Sequence, residues 1–141
     1  MATVDPRADE LLRRPIVGQL GFHGLDGYPR VVPVWFDYRD GELLVASPGG
    51  AYKGRALAAD GRVAMAVSTP EAPYHLVTVL GDAAVERLPE AERIRFVGEL
   101  ATRYLGERGG REYLTRWGRG GRPGDGERIR IRLRQVRFRV V

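Results

Sequence analysis

Apolar and polar residues alternate with a period of two along much of the chain, and Asp-Gly pairs separate several of the runs. This alternation is typical of half-buried β-strands, and Asp-Gly is a strong signal for the turn between two antiparallel strands. The pattern predicts six strands, over Ile16–Phe22, Arg30–Tyr38, Glu42–Ala46, Arg62–Ser68, Tyr74–Arg87 and Glu127–Val141.

Other stretches have the 3.6-residue spacing and the end signals of helices. A short helix is predicted over Pro6–Arg14, because Asp5 is a good N-cap and proline suits the first helical position. A second short helix is predicted to start near Ala51. A longer one begins at Pro89 and has one apolar face, and a short helix over Arg111–Trp117 follows it.

Three positions interrupt the strand pattern. Gly81 lies inside the long fifth strand and predicts a bulge or bend, and the apolar phase of the last strand reverses near Gln135, which also predicts a bulge. Pro33 lies in the middle of the second strand and cannot donate a ladder hydrogen bond. It indicates either an edge strand or a strand whose backbone faces something other than a partner.

Six strands with few helices and several glycine kinks predict a mainly β (α+β) fold, a small closed or nearly closed antiparallel barrel. A chain of 141 residues suits one domain, and neither an internal repeat nor an interdomain linker is present. We therefore expect a single domain over residues 1–141.

Composition excludes several classes of function. The chain has no cysteine, which rules out disulfides, cysteine-ligated zinc and thiol nucleophiles. His23 and His75 are isolated in predicted strands, and no catalytic dyad emerges around them. No apolar stretch approaches the 18 or so residues of a membrane span, and the N-terminal residues lack the order of a signal peptide. A cytoplasmic protein is expected.

The net charge of +5 makes polyanions worth considering as ligands. The charge is concentrated in the last strand, where arginines alternate with apolar residues from Arg128 to Arg134. Regular alternation is also what a strand with one solvated face shows, and the aromatic platforms of a single-strand nucleic-acid binder are missing apart from Phe138. Nucleic-acid binding therefore remains only an alternative.

The stretch from Ser47 to Leu57, SPGGAYKGRAL, contains the only lysine of the chain, Lys53; the other 22 basic residues are arginines. Lysine is a compact point charge, whereas arginine is a planar fork. A Gly-Gly turn that opens a helix directs free backbone N–H groups and the positive end of the helix dipole at one point. With Arg55 this makes either a phosphate site or a helix start with two solvated cations.

The residues from Asp26 to Ser68 resemble the front half of the flavin-binding split-barrel proteins related to pyridoxamine 5′-phosphate oxidase. The likeness is to their short branch, which uses FMN or the deazaflavin coenzyme F420, and it covers roughly residues 10 to 90. The residues that carry it are Asp26, Gly27, Pro29, Pro33, Val34, Trp35, Asp40, Gly41, Ser47, Lys53, Gly54, Arg55, Leu57, Arg62 and Val63. Where the family often has asparagine, this chain has Ala56.

The resemblance implies a homodimer of six-stranded split barrels with two cofactor sites in the subunit interface. It also implies that Lys53 and Arg55 bind the cofactor phosphate, that Ser47 adds a hydroxyl contact, and that a partner-chain residue such as Tyr74 or Trp117 completes the site. The strand along the ring system would be formed by Val32, Pro33, Val34 and Trp35.

Three hypotheses follow from these residues. The first is an F420-dependent oxidoreductase that transfers hydride to or from a small organic substrate, favoured because the excess arginine suits the acidic tail of F420. The second is an FMN-binding oxidoreductase. The third is a non-catalytic cofactor carrier or a basic nucleic-acid-binding module. In the first two the cofactor supplies the hydride chemistry and the protein supplies binding and orientation.

Overall fold

The structure is a computed structural model that describes residues 4–48, 51–118 and 125–141. Seven strands and three α-helices occur in these ranges, and a π-helical turn, Leu114–Gly118, follows the last helix. In chain order the elements are α1 Pro6–Leu12, β1 Gly18–His23, β2 Pro29–Val34, β3 Phe36–Arg39, β4 Glu42–Pro48, α2 Tyr52–Ala59, β5 Arg62–Ser68, β6 His75–Arg87, α3 Glu90–Tyr113 and β7 Asp125–Val140.

All pairings are antiparallel, and the strands lie in the order β2-β1-β5-β6-β7-β4-β3. The two edge strands, β2 and β3, are consecutive in the chain, so the sheet must curl until its edges come together. Gly18 lies at this closure, because a Cβ there would be 2.9 Å from Met65 Sδ and 3.3 Å from Phe36 Cδ1. The predicted barrel is confirmed as a curled, split antiparallel sheet.

The prediction of one strand over residues 30–38 is wrong, and with it the count of six. The chain forms two strands here: β2 pairs only with β1, and β3 pairs only with β4. Trp35 separates them, and its side chain stacks on Tyr104 of α3. A change of partner strand does not disturb the alternation of apolar residues, so the sequence pattern runs through it. Pro33 lies on an edge strand, opposite Gln19. This agrees with the first of the two interpretations of Pro33, that of an edge strand.

The two predicted irregularities of β6 and β7 are one bulge. Leu80 pairs with Gln135 and Gly81 with Leu133, so Arg134 is the extra residue on β7. Gly81 is required there, since a Cβ would lie 2.6 Å from the carbonyl oxygen of Arg132. The bulge lets both long strands turn around the barrel while the apolar residues before and after it face the same core.

Two apolar clusters hold the fold. The larger fills the barrel, with Phe36, Leu43, Met65, Ile129 and Ile131 at its centre, and α1 adds Leu11 and Leu12. The smaller lies between β4 and α3 and consists of Leu44, Phe96 and Leu100, with Trp35, Ala46 and Leu88 partly buried against them.

Helix α3 is a helical hairpin rather than one straight helix. Gly106 has φ of 79° and ψ of 174°, outside the helical region, and reverses the chain. Glycines let the two arms approach closely: a Cβ on Gly98 would lie 2.9 Å from Leu114 Cδ1, and one on Gly110 would meet the side chain and backbone of Thr102. The helix predicted over residues 111–117 is therefore the end of the second arm and the π-helical turn.

The first arm of α3 fastens the seam between the edge strands. The Tyr104 hydroxyl accepts from the Phe36 N–H at 3.1 Å and lies 3.0 Å from the Ile16 carbonyl oxygen, to which it donates. The Arg103 guanidinium donates to the carbonyls of Leu12, Arg13 and Arg14, each at 2.9 Å, and so caps the C-terminus of α1.

Candidate functional site

The start of α2 carries a half-buried lysine. Lys53 lies in the first turn, and no side chain caps the helix at Ala51. Burial lowers the pKa of the Lys53 ammonium below its ordinary value. Within the described ranges no hydrogen bond or ion pair compensates this charge. A desolvated cation without a partner, next to unpaired helical N–H groups, has the properties of an anion site.

Ser47 and Glu127 lie directly against this turn. Ser47 is buried near the end of β4 and faces Glu127 of β7 in the ladder. A Cβ on Gly54 would lie 2.6 Å from Glu127 Oε1 and 3.7 Å from Ser47 Oγ. A Cβ at position 54 would therefore displace the Glu127 carboxylate, which glycine leaves in contact with the turn. The structure thus brings Ser47 and the turn that contains Lys53 together.

Two residues that the sequence did not single out, Tyr52 and Arg30, complete the surroundings of Arg55. The guanidinium groups of Arg55 and Arg30 lie 5.7 Å and 5.6 Å from the centroid of the Tyr52 ring. Tyr52 Oη accepts from the Leu25 N–H at 2.8 Å, and Arg30 bonds Asp26 at 2.8 Å. These contacts join the start of β2 to the start of α2. In the sequence, the only sign that Arg30 could belong to the site is its position at the start of the proline-interrupted strand.

The segment Val32–Trp35 presents mostly backbone. Val34 is 6% exposed in the core and Val32 packs against it, whereas Pro33 is exposed. The Trp35 ring stacks on Tyr104 with centroids 5.1 Å apart and planes at 8°, and it meets Tyr113 at 5.2 Å. A ligand along this segment would therefore meet the backbone and Pro33, while the Trp35 side chain is held by α3.

Other predicted residues stand apart from this group. Tyr74 is 46% exposed and its backbone exchanges two hydrogen bonds with Val141, at the far end of β6 and β7 from Glu127. Within one chain it does not meet Lys53. The Trp117 side chain and the Gly49-Gly50 turn lie outside the described residues. Ala56 is 1% exposed in the core, so in this chain the position makes no side-chain polar contact.

Several arginines of the last strand are neutralised. Arg128 bonds Glu86 at 2.8 Å, and Arg130 bonds Glu86 at 2.7 Å and Glu42 at 2.8 Å. Beyond them Arg134 is paired with Asp82. Carboxylates on the neighbouring strands thus already pair with these three guanidinium groups. The stripe that looked basic in sequence is largely an ion-pair network of the sheet surface.

In the part of the chain that the structure describes, no group of three or more histidine, cysteine or acidic residues is placed to hold a metal ion. None of the helices in these ranges has the length and apolar character needed to cross a membrane.

The curled antiparallel sheet, whose two edge strands are consecutive in the chain, has the architecture of a split barrel. Residues 4–139 match the family model described as pyridoxamine 5′-phosphate oxidase. The chain belongs to this family of flavin-binding, oxidoreductase-type proteins. The match extends well beyond residues 10–90, where the sequence resemblance lay.

Solved structures share this fold. An F420 reductase is 25% identical and superposes with a TM-score of 0.74, over 95% of this chain and 98% of its own. A conserved hypothetical protein of Mycobacterium tuberculosis is 20% identical, with a TM-score of 0.76 over 99% and 86%. An FAD-binding protein of Mesorhizobium loti is 24% identical, with a TM-score of 0.65 over 96% and 94%. A search of curated protein sequences gives no significant match.

Proposed function

We propose that the chain is a cytoplasmic, homodimeric oxidoreductase that binds the deazaflavin coenzyme F420 at the subunit interface and transfers hydride to or from a small organic substrate. The observation that carries the proposal is Lys53, a half-buried ammonium without a partner in the described ranges, in the turn of α2 that lies against Ser47. An anion bound there would restore the interactions that burial removed.

The residues present fit a phosphate group. Lys53 would supply a point charge, Ser47 a hydroxyl donor and the first turn of α2 its backbone N–H groups. Arg55 and Arg30, held over Tyr52, would add guanidinium groups at the outer side of the site. The bound cofactor would carry the hydride, so the side chains of this site have binding and orientation as their task.

Two observations favour F420 over FMN. The chain has a net charge of +5, and F420 carries an acidic oligoglutamyl tail besides its phosphodiester, whereas FMN ends in a phosphate monoester. In addition, the F420 reductase reaches 25% identity over nearly the whole length of both chains.

Equilibrium binding of F420 and FMN, measured side by side by fluorescence titration and by absorbance after gel filtration, tests the proposal. We expect F420 to bind more tightly. A clear preference for FMN would replace the proposal by its alternative, an FMN-binding oxidoreductase, which should purify yellow. If neither cofactor is retained, salt-dependent binding of random oligonucleotides would support the nucleic-acid module instead.

The outer face of the sheet offers a surface for the second copy. Small or apolar residues stand side by side across four strands, in the row Val31, Gly21, Ala64 and Leu80. Val31 is 69% exposed and Leu80 51% exposed in the single chain. An uncharged row of small and apolar residues allows two sheets to pack against each other. We propose that a second copy of the chain covers it, as expected for a split-barrel dimer.

Replacing Ala64 with arginine should therefore give a monomer that no longer binds the cofactor tightly. Ala64 is exposed in the single chain, so the arginine can extend into water and the melting temperature of the monomer should change little. Analytical ultracentrifugation with cofactor titration measures both effects. Ala91→Arg, on the exposed first turn of α3, is the matched control and should remain dimeric. A dimeric Ala64→Arg variant would move the interface elsewhere.

A further inference from the structure

Glu127 has a buried carboxylate oxygen that nothing in the described ranges satisfies. Its Oε1 atom has essentially no contact with solvent and no hydrogen-bond donor within reach. A buried carboxylate oxygen without a donor is unfavourable, because burial removes its hydration and no protein hydrogen bond replaces the lost bonds to water. Buried polar atoms without a partner are rare in native proteins, and a role towards a ligand accounts for one at the edge of a binding site.

The place of this oxygen is the first turn of α2. It lies 2.6 Å from where a Cβ on Gly54 would be, and the ladder sets Glu127 opposite Ser47. Lys53, immediately before Gly54, is the candidate phosphate ligand. Glu127 is thus a negative charge beside a site whose proposed ligand is also negative.

We propose that Glu127 is a specificity-determining residue that makes the Lys53 site prefer a singly charged phosphodiester to a doubly charged phosphate monoester. The inference rests on the proposed function, since it takes Lys53 as the cofactor-phosphate ligand. A carboxylate beside the first turn of α2 reduces the positive charge that this site offers to a ligand.

The physical basis is the charge of the ligand. A phosphate monoester carries about −1.5 to −2 charges at pH 7, whereas a diester carries one. Coulomb repulsion from the carboxylate scales with ligand charge, so Glu127 opposes FMN by nearly twice the free energy with which it opposes F420. A ligand hydroxyl that donates to Oε1 would help both cofactors alike, because both carry a ribityl chain. Only the charge separates them.

The test compares dissociation constants of F420, FMN and riboflavin for the wild type and for Glu127→Gln, which keeps the side-chain shape. In the variant, FMN should bind about tenfold more tightly or better, and F420 only about threefold more tightly. The repulsion of F420 is about half as large, and half of a free energy corresponds to the square root of the ratio of dissociation constants. Riboflavin, which has no phosphate, should be unchanged. Glu127→Asp keeps the charge and should retain the wild-type preference, which provides a second variant if glutamine disturbs folding.

Glu10→Gln is the matched control, because it removes one negative charge from an exposed position of α1. It should change none of the three constants. Equal changes for FMN and F420 in Glu127→Gln, or an equal change for riboflavin, would overturn this inference while leaving F420 binding and the proposed function intact. A wild type that binds neither cofactor would overturn the proposed function, and the inference with it.

Discussion

Replacing Lys53 with alanine should weaken cofactor binding by about 1.5–3 kcal/mol, the range for a hydrogen bond to a charged group. This corresponds to a roughly ten- to 150-fold higher dissociation constant. The loss arises because the ammonium belongs to the turn of α2 that lies against Ser47, and no anion pairs with it in the described ranges. Fluorescence titration with F420 gives the change directly.

Stability should move differently from affinity. A half-buried ammonium without a partner destabilises the free protein, so Lys53→Ala should leave the melting temperature unchanged or raise it. Arg95→Ala, at an exposed position of α3, also removes one positive charge. It should change neither the cofactor affinity nor the melting temperature. Unchanged affinity in Lys53→Ala would place the anion site elsewhere, and a large loss of stability would make Lys53 a structural residue.

The pH dependence of binding supplies a separate check on Lys53. Burial lowers its pKa in the free protein, and a bound anion favours the charged form, so binding takes up a proton once the pH exceeds that lowered pKa. Affinity should therefore fall with rising pH before an ordinary lysine would titrate. Stability of the free protein should rise across the same window, because the unfolded chain then holds more protons. In Lys53→Arg the affinity should stay flat.

Replacing Trp35 with alanine should destabilise the protein by about 3 kcal/mol, the lower end of the range for large aromatic truncations, since the ring is only partly buried. The ring lies between two arms of the α3 hairpin, stacked on Tyr104 and in contact with Tyr113. Its loss should loosen α3 from the seam that Tyr104 fastens. Urea unfolding measures the effect.

The same variant decides between two roles for Trp35. The resemblance places its strand along the cofactor ring, whereas the structure packs its side chain under α3. Trp35→Phe keeps an aromatic ring for stacking and should recover most of the stability. If Trp35→Ala lowers cofactor affinity at full stability, the side chain faces the cofactor and the packing role is refuted.

Much of the fold could be predicted because its signals are local. The alternation of apolar and polar residues predicted the strands. Gly81 on β6 and the phase change near Gln135 on β7 both predicted the same bulge, which lies between these two strands. The division of β2 from β3 could not be predicted, because the apolar phase is unbroken where the chain passes Trp35 from one edge to the other. The α3 hairpin could not be predicted either, because a glycine such as Gly106 is as typical of the end of a helix as of a reversal between two helical arms.

The site was predictable only as far as it is contiguous. Ser47, Lys53 and Arg55 lie within nine residues, so turn and helix signals place them together. Glu127 reaches the same turn through the ladder between β4 and β7, and no local pattern reports which strands will be neighbours. Arg30 joins through the aromatic ring of Tyr52, a contact that depends on the fold of two separate segments.

The position of β7 has a consequence for biosynthesis. This last strand lies in the interior of the sheet, between β6 and β4, and the ion pair of Glu42 with Arg130 joins residues 88 positions apart. While the ribosome is still synthesising α3, the β3–β4 hairpin and β6 each have an unpaired edge. Exposed edges of this kind recruit other strands, so nascent chains should need chaperone protection until β7 emerges and joins the two halves.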